Sequence, residues 1–432
     1  MNFSDVYDKQ AARYPDAFAH AGGDPGRWIV CLCLLDFDVN VGPDFACIYP
    51  PVSLPEPTLR AVCFGSFPEH SLGASAIEAF HRFRVGGERS DPRRRRDRAR
   101  EPDRTLFGYT VFQQQKDARR PRAYAQRALT LLSQHAFPLL FEACVRAVAA
   151  SAAGLTAAET VLLLQSAVQQ IAAWPPPPTP GTAVGLGFMG RELLVDAGAD
   201  AVQAGGPSPA TVVALNGHTS DWGAMARALR DLNDLYVLFE RTLLGLPVGV
   251  YAETPAVCSA LAAAVPELIL PMIYGGEVAE YVTLQSDSRG LLERLVPGGV
   301  GACVVGFTNP LVADQAGADA PIVHATGPQR SSMRVSLPVI VLDSAVPSTN
   351  GPDYAVDLLY PLHALRRRRN RVAGRRFLAR DRTFLRALGE MLTDGSPPAR
   401  VDAFVRTHFA ALTLRLLAPV SRYAAMVARA PR

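Results

Sequence analysis

Trp28-Ile-Val-Cys-Leu-Cys-Leu-Leu35 is a continuous apolar run, and Gly42-Pro-Asp44 turns the chain into a second apolar run over Phe45 to Tyr49. An uninterrupted run of that length reads as a strand covered on both faces, and the Gly-Pro-Asp turn makes the pair a hairpin. Working outward, Pro55 to Phe64 is a short helix candidate, and Ile77, Ala79, His81, Phe83 and Val85 alternate as one side of a third strand. Leu106 to Gln113 and Tyr124 to Ser133 form a second hairpin across a basic turn. Phe137, Leu140, Phe141, Cys144, Val145 and Val148 then recur at spacings of three and four, marking an amphipathic helix, and a further helix fits Ala157 to Ala172. His81 on its strand face reads as a half-buried structural residue.

The next landmark is Trp174-Pro-Pro-Pro-Pro-Thr-Pro-Gly181. Four consecutive prolines cannot continue a helix or a central strand, so the stretch reads as a stiff linker. Directly after it stands Gly185-Leu-Gly-Phe-Met-Gly190, a literal GxGxxG. A dinucleotide site needs that loop between a strand and a helix, with an acid about 20 residues on. Here Gly205-Gly-Pro-Ser-Pro stands at that distance, so no cofactor is expected.

Beyond this point short strands are expected at Val212 to Leu215, Val248 to Tyr251, Tyr281 to Leu284 and Ala302 to Phe307. A helix carries Leu235, Leu238, Phe239, Thr242 and Leu243 on one face and stops at Gly245 and Pro247. From about 355 the chain turns helical, and His408 sits in an apolar stripe from Val401 to Leu416, as a core histidine would.

Composition narrows the chemistry. The 432 residues are 49% hydrophobic, enough for large cores and two or three domains. Met1 to Asp8 lacks the basic segment and apolar run of a signal peptide, and Val257 to Ile273, with Glu267 and two prolines, does not read as a membrane span. The seven cysteines lie mostly in apolar runs, as reduced buried thiols do, and no CxxC completes a zinc set. Lysine occurs only at positions 9 and 116 while arginine supplies every other basic residue, a bias that speaks of nucleotide composition rather than of nucleic-acid binding.

Arg93 to Arg100 and Arg366 to Arg376 read as solvated faces, with peripheral contact to anionic membrane as the alternative. No nucleic acid is expected, because no aromatic residue is interleaved. No GxSxG, GxxxxGK[ST] or HExxH occurs, and no compact pairing of nucleophile with base.

Four segments in fixed order carry a family resemblance: Trp28 through Ile48-Tyr-Pro-Pro51, Phe107-Gly-Tyr-Thr-Val-Phe112, Leu243-Leu-Gly-Leu-Pro247 and Gly306-Phe-Thr-Asn-Pro310. Together they resemble the DENN-domain proteins, most closely the subfamily of DENN domain-containing protein 6, over roughly residues 27 to 425. The resemblance implies a mixed α/β (α+β) bilobal fold. A 1–26 extension precedes a longin-like antiparallel lobe at 27–174, a linker at 175–181, a central α/β lobe at 182–345 and a helical segment at 346–432. In function it implies an exchange factor promoting GDP release from a Rab-type small GTPase in trafficking, cytoplasmic or peripheral on endosomal membranes.

Such a factor binds the nucleotide-free GTPase, across the cleft between the lobes, and needs no cofactor, metal or covalent chemistry. Carried onto this sequence, the partner-binding residues are Asp36, Asp38, Gln113, Gln114 and Asn309. Asn309, before Pro310, reads equally as a turn former. The alternative is a scaffold or tether that holds the GTPase without speeding exchange. Residues 191–211 and 310–355 depart from the family pattern, and the chain ends soon after Tyr423, where family members continue.

Overall fold

The computed structural model describes residues 28–69, 77–86, 105–117, 124–177, 183–196, 211–214, 222–229, 232–252, 254–295, 301–309, 312, 322–325 and 379–429. Both arginine runs and the Ala/Gly-rich 197–210 lie outside them. The architecture is mixed α/β, and the chain divides into two compact units.

The first unit is built on a five-stranded antiparallel sheet of β1 (Cys31–Asp38), β2 (Gly42–Tyr49), β3 (Ile77–Val85), β4 (Leu106–Lys116) and β5 (Tyr124–Ser133), ordered β2-β1-β5-β4-β3. One face packs on α2 (Pro138–Ser151) and α3 (Ala157–Ala172), and the other on α1 (Glu56–Gly65). This double cover is why the Trp28 run is apolar at every position. Register sorts the residues into rows. Leu34, Leu129, Val111 and Phe80 are neighbours across four strands and join the core under α2 and α3.

On the opposite face Cys33, Thr130, Thr110 and His81 form a buried row. The hydroxyls of Ser66, Thr130 and Thr110 are linked at 2.7 Å each, and Ser66 donates on to the Val62 carbonyl, so α1 is hydrogen-bonded through the sheet it covers. His81 is fully buried rather than half-buried, its Nε2 2.8 Å from the Gly65 carbonyl. Burial pushes its pKa down to about 4, so the ring is neutral at physiological pH.

The helix α3 opens with a capping box, Glu159 N to Thr156 Oγ1 and Thr156 N to Glu159 Oε2. Past it, Trp174 donates to the Gly187 carbonyl at 2.8 Å, while Trp28 donates to the Pro175 carbonyl at 2.7 Å. The core continues beyond the proline-rich stretch: Leu186, Phe188, Leu193 and Val195 cluster with Trp28 and Trp174. These four lie on β6 (Ala183–Phe188) and β7 (Arg191–Asp196), an antiparallel hairpin whose β7 pairs in parallel with β8 (Thr211–Ala214). The strand β7 falls where the sequence pattern gave no element.

Residues 281–284, expected as a strand, are not one. Their chain is fastened to the first unit by a carboxylate instead of a ladder: Glu69 Oε1 accepts from Leu284 N at 2.6 Å, and Tyr281 OH accepts from Glu69 N at 3.2 Å. The Tyr281 ring meets the His81 ring edge-on at 5.0 Å between centroids. Burial of both faces produced the apolar run that mimics a strand.

The second unit centres on a parallel sheet of β9 (Val248–Ala252), β10 (Glu277–Ala279), β11 (Cys303–Phe307) and β12 (Ile322–Ala325), ordered β10-β11-β9-β12. Around it lie α4 (Trp222–Ala228), α5 (Asp234–Leu243), α6 (Pro255–Ala264), α7 (Ala379–Thr393) and α8 (Pro398–Arg429). Residues 254–259, at the start of α6, group with the first unit, as do 281–289. Arg406 ties α8 to its surroundings, donating to Asp402 at 2.7 Å and to Glu267 at 2.8 Å, while Asp402 also accepts from Trp222 N. His408 stacks on Phe384 at 3.7 Å and bonds Tyr236 OH at 2.7 Å, the satisfied core role its spacing suggests.

Candidate functional site

The motif residues of the four segments build the fold. Gly108 lies against the Phe83 ring so closely that a Cβ there would sit 2.7 Å from Cε1 and Cε2. In Leu243-Leu-Gly-Leu-Pro247, Gly245 takes φ +62°. Leu246 N bonds the Arg241 carbonyl at 2.9 Å and Gly245 N the Thr242 carbonyl at 3.1 Å, a complete Schellman stop that releases the chain into β9. Tyr49–Pro50 is cis, and Phe307 and Thr308 are buried at the end of β11.

The polar candidates sort by face. Two residues beyond the core row, on the same face of the same four strands, stand Asp36, Arg127, Gln113 and Glu78, again in one register. Arg127 Nε donates to Asp36 Oδ1 at 3.0 Å, and Gln113 Nε2 to Glu78 Oε2 at 3.0 Å. Arg146 of α2 approaches Glu78 at 3.5 Å, bonds Glu142 at 2.8 Å and lies over Phe80. Period two makes the swap from an apolar to a polar row the point where helix cover ends. Arg127 and Asp36 are each about a third exposed (31% and 35%), so their pairing adds only about 0–1 kcal/mol to stability.

Asp36 and Gln113 therefore flank one arginine. Gln114 points to the other face, is nearly buried and accepts from Gln126 at 2.7 Å. Asp38 is exposed at the hairpin tip, where its Oδ1 accepts from Asn40 N at 2.7 Å and Val41 N at 3.1 Å. Asn309 belongs to the second unit, half-buried just past β11, with its carbonyl accepting from Val312 N at 3.2 Å. Sequence reasoning passed over Arg127 and Glu78. The signal was present in Arg127, which is in phase with Leu129 and Leu131 on β5 and breaks their apolar alternation.

The glycine motif at 185–190 is strand and turn. Met189 and Gly190 take φ +49° and +73°, a two-residue hairpin loop, and a strand follows instead of a helix. Its backbone is already engaged, Met189 N with Gln170 Oε1 at 2.7 Å and the Gly187 carbonyl with Trp174. Calorimetry with NAD or NADP is expected to show no saturable heat; saturable binding abolished by Gly187→Val would contradict this geometry.

All seven cysteines are free and buried, and Cys31 and Cys33 share a strand face with sulfurs 3.7 Å apart. Burial raises the thiol pKa of Cys47 to about 12, so it is no nucleophile. Among the described residues no three His, Cys, Asp or Glu side chains are placed to hold a metal ion, and no helix is long and apolar enough to cross a membrane.

No family model matches the chain. Known proteins do. Protein DENND6B of Homo sapiens is 30% identical over 308 residues, covering 66% of this chain and 51% of that protein. Protein DENND6A of Gallus gallus is 27% identical over 319 residues, with the same coverage of each. The DENND6 homolog of Dictyostelium discoideum is 22% identical over 473 aligned residues, covering 93% of this chain and 62% of that protein. The chain thus spans about half the length of the vertebrate relatives it matches, and its resemblance to the DENND6 proteins is borne out over 66% of its length.

Proposed function

We propose that this chain promotes GDP release from a Rab-type small GTPase by binding the nucleotide-free form more tightly than the loaded one. The observation that carries the reading is the similarity to DENND6 proteins over 66% of the chain, joined to a first unit built on an antiparallel sheet, as the longin-like lobe implied by the resemblance would be. The reaction needs no acid, base or nucleophile. By linkage, a protein that prefers the empty GTPase must weaken nucleotide binding by the same factor. What it requires is a shaped surface with polar anchors that draws the switch segments from the phosphates.

Asp36, Asp38, Gln113, Gln114 and Asn309 stand as the proposed partner-binding residues, and the lobe boundaries at 175–181 and 345 belong to the same proposal. In a fluorescent-GDP release assay over a panel of Rab-type GTPases, the wild type is expected to accelerate at least one. Asp38→Ala, Gln113→Ala and Asn309→Ala should each lower that rate roughly 5- to 150-fold, the loss of about 1–3 kcal/mol that an anchor at an interface centre gives. If all three match the wild type, the residue assignment is wrong. If the wild type accelerates nothing but holds a GTP-loaded member, the scaffold reading replaces exchange.

A further inference from the structure

The resemblance implies that Asp36 and Gln113 touch the partner directly, but their hydrogen bonds point elsewhere. The carboxylate of Asp36 is engaged by Arg127, and the amide nitrogen of Gln113 by Glu78. Arg127 stands between them, paired in register with Asp36 on β1 and with Gln113 on β4. Its guanidinium carries five N–H donors, of which the bond to Asp36 uses the one on Nε. Among the described residues the two Nη groups make no further hydrogen bond. Arg127 is thus a cation held in one orientation, with spare planar donors, at the margin where the sheet loses its helix cover.

Resting on the exchange reading, we propose that Arg127 is the contact residue of this row, donating from Nη to a main-chain carbonyl of an extended segment of the GTPase, and that Asp36 is the positioning residue that aims it. The acceptor is a neutral carbonyl because a second carboxylate on this guanidinium would stand close to that of Asp36, which already accepts from Nε, and be repelled by it. Glu78 plays the same part for Gln113 and leaves its amide oxygen to accept a main-chain N–H. A row offering donor and acceptor on adjacent strands suits an extended backbone, whose N–H and C=O alternate.

The test uses the full chain and the panel GTPase that the wild type discharges fastest. Arg127→Ala is expected to slow release about 10-fold or more, as loss of an interface arginine does. Arg127→Lys should recover to within about 3-fold, since an ammonium also serves a single carbonyl and pairs with Asp36. Asp36→Asn is expected to cost about 3-fold alone and nothing further in the Arg127→Ala background, the non-additivity of a residue that acts through another. Melting temperature should stay within about 4 °C throughout, because an exposed pair contributes little to folding.

Release by Arg127→Ala within twofold of an active wild type overturns the inference and leaves the exchange reading standing. So does a loss of rate that Arg127→Lys does not relieve and that tracks a lowered melting temperature, which marks a structural arginine. A wild type that accelerates no GTPase ends both readings together.

Discussion

Gly108→Val is expected to prevent the first unit from reaching its native packing. A Cβ at 108 meets the edge of the Phe83 ring at 2.7 Å on two carbons, and the ring is crowded by a second glycine as well, because a Cβ at Gly65 would stand 2.7 Å from Cδ2. Phe83 is 2% exposed and packs closely on both glycines. Overpacking by a methylene or two costs about 1–3 kcal/mol where neighbours can yield. Here the neighbour is itself closely packed and valine adds three carbons, so a loss of about 4 kcal/mol or more is expected, a large share of the roughly 5–15 kcal/mol that holds a domain together. Guanidinium melts followed by far-UV circular dichroism report it. A midpoint within about 1 kcal/mol of wild type would refute the clash. The milder Gly108→Ala gives a second check, because trimming the ring by Phe83→Leu should restore part of what that alanine removes.

Trp174→Ala comes next in size, at about 3–5 kcal/mol for a buried indole. The ring lies edge-on to Trp28 at 5.4 Å and to Phe188 at 5.7 Å, and its Nε1 is bonded to the Gly187 carbonyl. Removing it opens a cavity and releases the β6–β7 hairpin from the end of α3. Trp174→Phe keeps most of the ring and loses the bond, so about 1–2 kcal/mol is expected for it. Hydrogen exchange over residues 183–196 separates the two losses: the alanine variant should speed exchange there more than elsewhere in the unit. Uniform protection in both variants would show that Trp174 does not anchor the hairpin.

Local pattern revealed much of this architecture. The alternation of Ile77 to Val85 gave β3, and the run Tyr124 to Ser133 gave β5, each with its observed bounds. Spacings of three and four placed α2, and Gly245 with Pro247 placed the end of α5. Failures arose where distant chain supplies the partner. Residues 281–284 are apolar because they are buried, yet the group that satisfies Leu284 N is the carboxylate of Glu69, 215 positions earlier. No window of sequence contains both.

The same reason hid the polar row. Asp36 and Arg127 lie 91 positions apart, and only the register of β1 on β5 makes them neighbours. Reading strand ends for exposed polar side chains found Asp36 and Gln113, but their hydrogen-bond partners depend on pairing that single strands do not specify. Asp38 shows the converse: its carboxylate is answered two and three residues on, and a local Asx turn of that kind is legible from the chain alone.

The Glu69 clamp also sets a timetable for biosynthesis. Its two partners at Tyr281 and Leu284 leave the ribosome 212 and 215 residues after Glu69 itself. At roughly 5–20 residues per second, the first unit waits about 10–40 s for Leu284 N to reach the Glu69 carboxylate and for the Tyr281 ring to meet His81. By the end of that interval a nascent chain already carries all five strands of the sheet, so the Tyr281–Leu284 segment docks onto a sheet whose strands are complete.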